Sequence, residues 1–551
     1  MKKFIKNLSE DLRKGHISRR DFLKSALASG AGLPLATSIL AACAPQEAAP
    51  ATTLAEAVLP TKAPAVPGKL IFGAGSDVSS FDPNSGEITG IDEAMLRNLY
   101  DGLIDWTGKP GEYVPALATE WSVGPDEVTW TFKLRPDIKF SDGSTFDADV
   151  VKYNIDRALE FANFRVGPHV KEVKVVDKGT VQFISPKPDA GFLDNISWAA
   201  SAFVSIEAYK KYGEEVKLNP VGTGPFLFEE WRPGEQLALK KNPNYWREHA
   251  KVDQVVYRPI AEYGSRVLAL ESGDVDLISN VAVADVNRLK AAVQGVKVET
   301  SPSVRCMNLI PNLTKPALNK EVLQALNYAI DREAICKNIM AGLTRPSTNY
   351  ISTTNFGYRD PVPTYSFNPE KAKELLAQGG YAPGTVLTIM HTEGRYYGDR
   401  AVAEAVQAMW KAIGVDTELW LVEWPTYAKW MWSVGPEDPN VQKRDFALTD
   451  WGAQDPVFAI WAEVTGDWPP KGGNATFTDD PEMVALVNKA WSTLDPEQYK
   501  NVLGDLQDLI ADKGYRVFIM EQSQVFAMKK GVNGFVATPN NHWPLRSVYW
   551  T

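Results

Sequence analysis

A chain of 551 residues is too long for one hydrophobic core, so two or three domains are expected. Apolar content of 44% and charged content of 23% are ordinary for a globular protein. The formal charge is −10; the first 42 residues hold eight Lys/Arg against three Asp/Glu, so the remainder is near −15. An acidic body of that kind argues against nucleic acid or an anionic membrane surface as a direct partner.

In chain order, the basic start ends in Ser18-Arg19-Arg20-Asp21-Phe22-Leu23-Lys24, which resembles a twin-arginine export signal. The run from Ala26 to Ala42 is short, mildly apolar and interrupted by Gly30, Gly32 and Pro34, which suits a cleaved signal better than a membrane helix. It closes on Leu40-Ala41-Ala42-Cys43, similar to a bacterial lipobox, and implies a signal peptide over 1–42 with lipid on Cys43. Residues 43–67, rich in Ala, Pro and Thr, read as a flexible tether reaching roughly 25–30 Å.

The folded body is expected from Gly68. Val128, Trp130, Phe132 and Leu134 alternate with Thr129, Thr131 and Lys133 as in a half-buried strand. Asp142-Gly143 marks a turn, Asp147 an N-cap, and Val151, Ile155, Ala158 and Leu159 one apolar helix face. Asn219-Pro-Val-Gly-Thr-Gly-Pro-Phe226 lacks the further Gly or Lys of a phosphate loop, and Pro225 removes a donor, so its glycines are read as a sharp crossing between domains. Helices are expected near 370–378, 399–413 and 481–494, with strands at 386–391, 416–422 and 446–450. That alternation predicts an α/β domain. From Arg516 onward the chain reads as strands returning to the first domain.

The order Leu-Ala-x-x-Trp, Trp-x-Phe-x-Leu-Arg, Lys-Phe-x-Asp-Gly and Asp-Val-(x)6-Arg runs through Trp121, Arg135, Lys139, Phe140, Asp142, Gly143, Asp149, Val150 and Arg157. It resembles family 5 solute-binding proteins of ABC importers, which handle peptides, nickel and related solutes. Ser141 departs from it where many relatives carry histidine. The match continues through 219–226, Asn242–Trp246, Arg266–Asp276 and Leu318–Ile335, and so covers about 68–551. The resemblance implies a two-lobe α/β periplasmic-binding-protein fold, type II-like, with an extra third domain and a cleft between the lobes. Lobe I would comprise 68–104, 216–279 and 516–551, the extra scaffold domain 105–215, and lobe II 280–515.

The resemblance also implies where a solute would sit. In dipeptide and oligopeptide receptors the loop matching Asp450-Trp451-Gly452-Ala453-Gln454-Asp455-Pro456 carries an aspartate three residues after the tryptophan, for the peptide ammonium. Here that offset holds Gln454, which cannot neutralise a cation. Either Asp450 or Asp455 replaces the aspartate, or the ligand has no free amino terminus; Asp455-Pro456 is otherwise simply a turn. Trp424 and Trp451 are read as cleft walls, although core packing competes for every tryptophan of this half. Arg395, in the loop with Tyr396 and Tyr397, is a candidate to grip a carboxylate, and so is Arg400. Glu87, Ile88 and Thr89 match the first-lobe loop lining the relatives' cleft.

The five histidines lack metal-site spacing, and no metal or cofactor is expected. Cys306 and Cys336 form either a disulfide or two buried thiols. No Gly-x-Ser-x-Gly, His-Glu-x-x-His or Walker loop is present, so an enzyme is not expected. The expected protein is a monomeric, lipid-anchored extracytoplasmic receptor that gives a peptide, or else an oligosaccharide or another polar solute, to an ABC permease. A surface-tethered hydrolase is the alternative from another class.

Overall fold

The computed structural model describes residues 68–84, 90–161, 166–198, 202–292, 295–466, 468–469 and 473–551. The signal, the tether and Cys43 lie outside the described residues, as do Glu87, Ile88 and Thr89. No helix among the described residues is long and apolar enough to cross a membrane.

One mixed sheet runs through both lobes. Its strands lie in the order Asp416–Leu421, Val386–His391, Phe446–Trp451, Val296–Pro311, Val517–Lys529, Leu277–Ser279, Lys69–Ala74, Gln254–Pro259, Gln236–Lys241 and Phe226–Arg232. Val386–His391 pairs in parallel with strands on both sides. A parallel neighbour requires a crossover, and helix Asp399–Ala412 supplies it. That helix buries Val402, Ala403, Val406 and Trp410 in the lobe II core, where the Trp410 indole donates to Leu326 O at 3.2 Å.

Two strands belong to both lobes. Val296–Ser301 and Pro302 pair with Ser523–Lys529, beside the lobe I strand Leu277–Ser279, while Cys306–Pro311 pairs with Phe446–Trp451 of lobe II. Between these halves the register shifts: Ser303, Val304 and Arg305 stand opposite the single Gln522. A bulge bends a strand and re-aims its side chains. This one lies where the lobes meet.

The scaffold domain is a four-stranded antiparallel sheet, ordered Ala118–Val123, Thr129–Leu134, Thr180–Ile184 and Glu172–Asp177, under helix Ala148–Glu160. Asp147 caps that helix by accepting from the N–H groups of Asp149 and Val150. The domain is tied to lobe I by Asn84–Asn154 at 2.9 Å, Arg157–Asp82 at 3.3 Å and the Ser141 N–H on Gly222 O at 2.9 Å. Residues of the long resemblance block thus build this domain and its attachment.

Gly222 and Gly224 are required for room. A Cβ at Gly224 would lie 2.4 Å from the carbonyl carbon of Leu99 and 2.6 Å from its oxygen. Backbone cannot yield as a side chain does, so Gly224→Ala should destabilise the protein by about 1–3 kcal/mol, read from the midpoint of urea unfolding.

Candidate functional site

The site is built where the bulge meets the ends of the lobe II strands. Gly452 brings the two together: a Cβ there would fall 2.0 Å from Val304 O and 2.8 Å from the Arg305 Cα. With Arg305 held at that distance, its Nε lies 3.3 Å from Asp450 Oδ2, and its terminal nitrogen donates to the Asp450 carbonyl. Asp450 is 8% exposed, and its Oδ1 has no hydrogen-bond partner among the described residues.

Arg395 approaches from the loop after Val386–His391. Asp399 shapes that loop by accepting from the Thr392 hydroxyl and from the backbone N–H groups of Gly394, Arg395, Tyr396 and Arg400. The Arg395 guanidinium lies over Trp424 at 4.2 Å and over Tyr396 at 5.3 Å from the ring centroids, in cation–π range. Its side chain is exposed, yet surrounding protein lowers its pKa through desolvation, with Tyr396 opposing and Arg305 adding repulsion. Trp424 begins helix Trp424–Trp432 and is stacked on by Tyr427, with centroids 5.7 Å apart. Tyr397 OH, Gln522 Oε1 and the Trp451 indole N–H are buried without partners among the described residues, and Gln522 Nε2 donates to Tyr397 O at 3.4 Å.

Across the cleft stands Tyr263, at the start of lobe I helix Tyr263–Ser272; its hydroxyl donates to Gly394 O at 3.0 Å.

Gln454 and Asp455 face elsewhere. Gln454 Nε2 donates to Asp194 at 2.8 Å and Ser197 at 3.0 Å in the scaffold domain, and its Oε1 accepts from Asn540 at 2.8 Å. Asp455 caps helix Pro456–Ile460 through the N–H groups of Val457 and Phe458, while its Oδ2 accepts from Asn195 at 2.9 Å. Both side chains are buried in the joint between scaffold and lobe II, and their polar atoms are spent within the protein. The structure therefore brings Arg395, Tyr396, Tyr397 and Trp424 together with Asp450, and directs Gln454 and Asp455 to the joint. Arg400 pairs with Glu393 and Glu404, both at 3.0 Å. Trp451 packs against the lobe II core.

The joint is rich in titratable groups. Burial, then the charge of Asp455, pushes Asp194 up to about 7, although Tyr113 donates to it at 2.6 Å. Burial also raises Asp455. Desolvation opposes protonation of His169, but Asp189, 2.7 Å away, outweighs it and raises the imidazole.

Arg305, Tyr263 and Gln522 were not singled out in the sequence. Arg305 had one signal, a charge within an apolar strand run; Tyr263 and Gln522 had none.

Two lobes joined by shared strands, with polar and aromatic groups converging at the hinge, define a solute-binding protein of the cleft-closing class. Residues 112–465 match the bacterial extracellular solute-binding proteins, family 5 (Middle), and the chain belongs to that family. It is 27% identical over 490 residues to the glutathione-binding protein GsiB of Salmonella typhimurium, spanning 87% of this chain and 94% of that one. Among solved structures it is similar to the periplasmic binding protein DppA of Helicobacter pylori in complex with the peptide STSA, at 26% identity and a TM-score of 0.74, covering 88% of this chain and 98% of that one. It is also similar to AgaA of A. tumefaciens R10 in complex with agropinic acid, at 26% identity and a TM-score of 0.73, covering 88% and 99%. These relatives are binding proteins.

Two outcomes follow from the geometry. Tyr263→Phe removes a bond between lobe I and lobe II, so solute affinity should fall by about 2- to 10-fold, the worth of ~0.5–1.5 kcal/mol, read by calorimetric titration. Asp194 is held protonated in the fold above its unfolded pKa, so its contribution is complete below the ordinary carboxylate range and is lost as pH rises towards about 7. Asp194→Asn should remove that component, so the variant's unfolding free energy falls less than the parent's from acid to neutral pH.

Proposed function

We propose that this protein is the extracytoplasmic receptor of an ABC importer, enclosing a small peptide-like solute and presenting it to the permease. The observation that carries this reading is the Arg395–Trp424–Asp450–Arg305 group, set at the strand bulge where lobe I meets lobe II. A solute that touches both lobes there selects the closed form. Glutathione for GsiB and a peptide for DppA support a small peptide as the solute. Trp424 already carries Arg395 and Tyr427 on its ring, which takes away the stacking argument for an oligosaccharide. The twin-arginine run and Cys43 would export the chain and hold it at the membrane, on the tether of residues 43–67.

The test is native mass spectrometry of the protein purified from its own organism, paired with uptake assays. A co-purifying solute of unchanged mass after prolonged incubation, whose cellular uptake requires this protein, is the expected result. Turnover of the bound compound would replace the receptor with the tethered hydrolase.

A further inference from the structure

We infer that Ser352 and Asn355 are positioning residues for the solute site: the turn they close sets Arg305 at its distance from Asp450. This rests on the receptor reading and adds to its site two residues that act through others.

Ser303, Val304 and Arg305 leave the regular ladder at the bulge, so their backbone groups must find other partners. The Val304 N–H donates to Pro539 O at 3.0 Å, and the Arg305 N–H to the Ser303 hydroxyl at 3.2 Å. Ser303 O accepts from the Ser352 hydroxyl at 2.7 Å, with the Thr354 hydroxyl 3.4 Å away. The backbone two residues before Arg305 is thus held from a turn of lobe II.

The same turn holds the loop of Asp450. Asn355 Nδ2 donates to Ala453 O at 2.8 Å and to Gln454 O at 2.9 Å, which uses both of its amide hydrogens. Its Oδ1 accepts from the Ser352 N–H at 2.9 Å, and its own N–H donates to Ser352 O at 2.9 Å. One four-residue turn therefore carries the Ser352 side chain to the strand of Arg305 and the Asn355 side chain to the loop of Asp450. Glu521, in register with Cys306, pins the turn: its Oε1 accepts from the Thr353 N–H and the Thr353 hydroxyl, both at 2.6 Å, and the Ser352 hydroxyl lies against the same oxygen. Ser303, Ser352, Asn355 and Glu521 are all buried, where low dielectric strengthens each bond and raises the cost of losing it. The 3.3 Å between Arg305 Nε and Asp450 Oδ2 is spanned on both sides by these bonds.

Two buried thiols make the idea testable. Cys306 follows Arg305 and stands in register with both Trp451 and Glu521, while Cys336 lies in the lobe II segment Ile335–Ile339. Both are labelled with N-ethylmaleimide in the native full chain and mapped by mass spectrometry, in the parent and in Ser352→Ala, Asn355→Ala and Asn355→Asp. Asn355→Asp keeps the shape of the side chain and loses its donors. Each variant should label Cys306 about tenfold faster or more, with the Cys336 rate unchanged. Each should also retain less co-purified solute in native mass spectrometry of protein from its own organism. Ser352→Ala, the mildest change, decides the case if the Asn355 variants do not fold. Equal acceleration at both cysteines, no acceleration at Cys306, or parent-like solute occupancy in a variant whose Cys306 labels fast would overturn the inference while leaving the receptor reading in place. A parent that carries no solute counts against the receptor reading alone, and the Cys306 rate then decides the positioning.

Discussion

Everything in this molecule hangs on a ladder shared by two lobes. Val296–Pro311 and Val517–Lys529 are each continuous strands, yet one end of each serves one sheet region and the other end a different one. Backbone hydrogen bonds resist sliding but tolerate bending, and the extra residues at Ser303–Arg305 concentrate bending at one place. The Arg305–Asp450 pair thus sits beside the bulge, where the two halves of the ladder meet.

The loop from Asp450 to Pro456 serves two masters. Its first residue pairs with Arg305 at the bulge. Four and five residues later the chain has crossed to the joint with the scaffold domain, where Gln454 and Asp455 meet Asp194, Ser197 and Asn195. Buried polar groups need partners, and in this loop the partners available lie on the protein side. The scaffold domain, fixed to lobe I through Asp82, Asn84 and Gly222, touches lobe II through this loop and through the Ala190 N–H on Trp491 O. The scaffold domain is thereby in contact with both lobes.

Local signals carried much of the architecture. The capped helix after Asp147, the strands at 386–391, 416–421 and 446–451 and the helices between them follow from periodicity and caps, because those forces act within a few residues. The side chains of the site were harder. Asp455 reads equally as a ligand carboxylate or a helix cap from Asp-Pro alone, and its Asn195 partner is 260 positions away. The glycines of 219–226 suggested a sharp crossing between domains, but what they answer is the Leu99 backbone, which no local pattern announces. Tyr263 looks like any helix-start tyrosine until lobe II is folded over it. Cys306 and Cys336, left open by the sequence, are buried and unpaired.

The joint around Gln454 constrains what can stand at that position. One amide binds together a lobe II loop, the scaffold segment at Asp194 and Ser197, and the C-terminal Asn540. A carboxylate grafted at that position would face Asp194 directly, in a pocket whose acids already repel one another. A charge at position 454 would therefore have to be accommodated by three distant stretches of the chain at once.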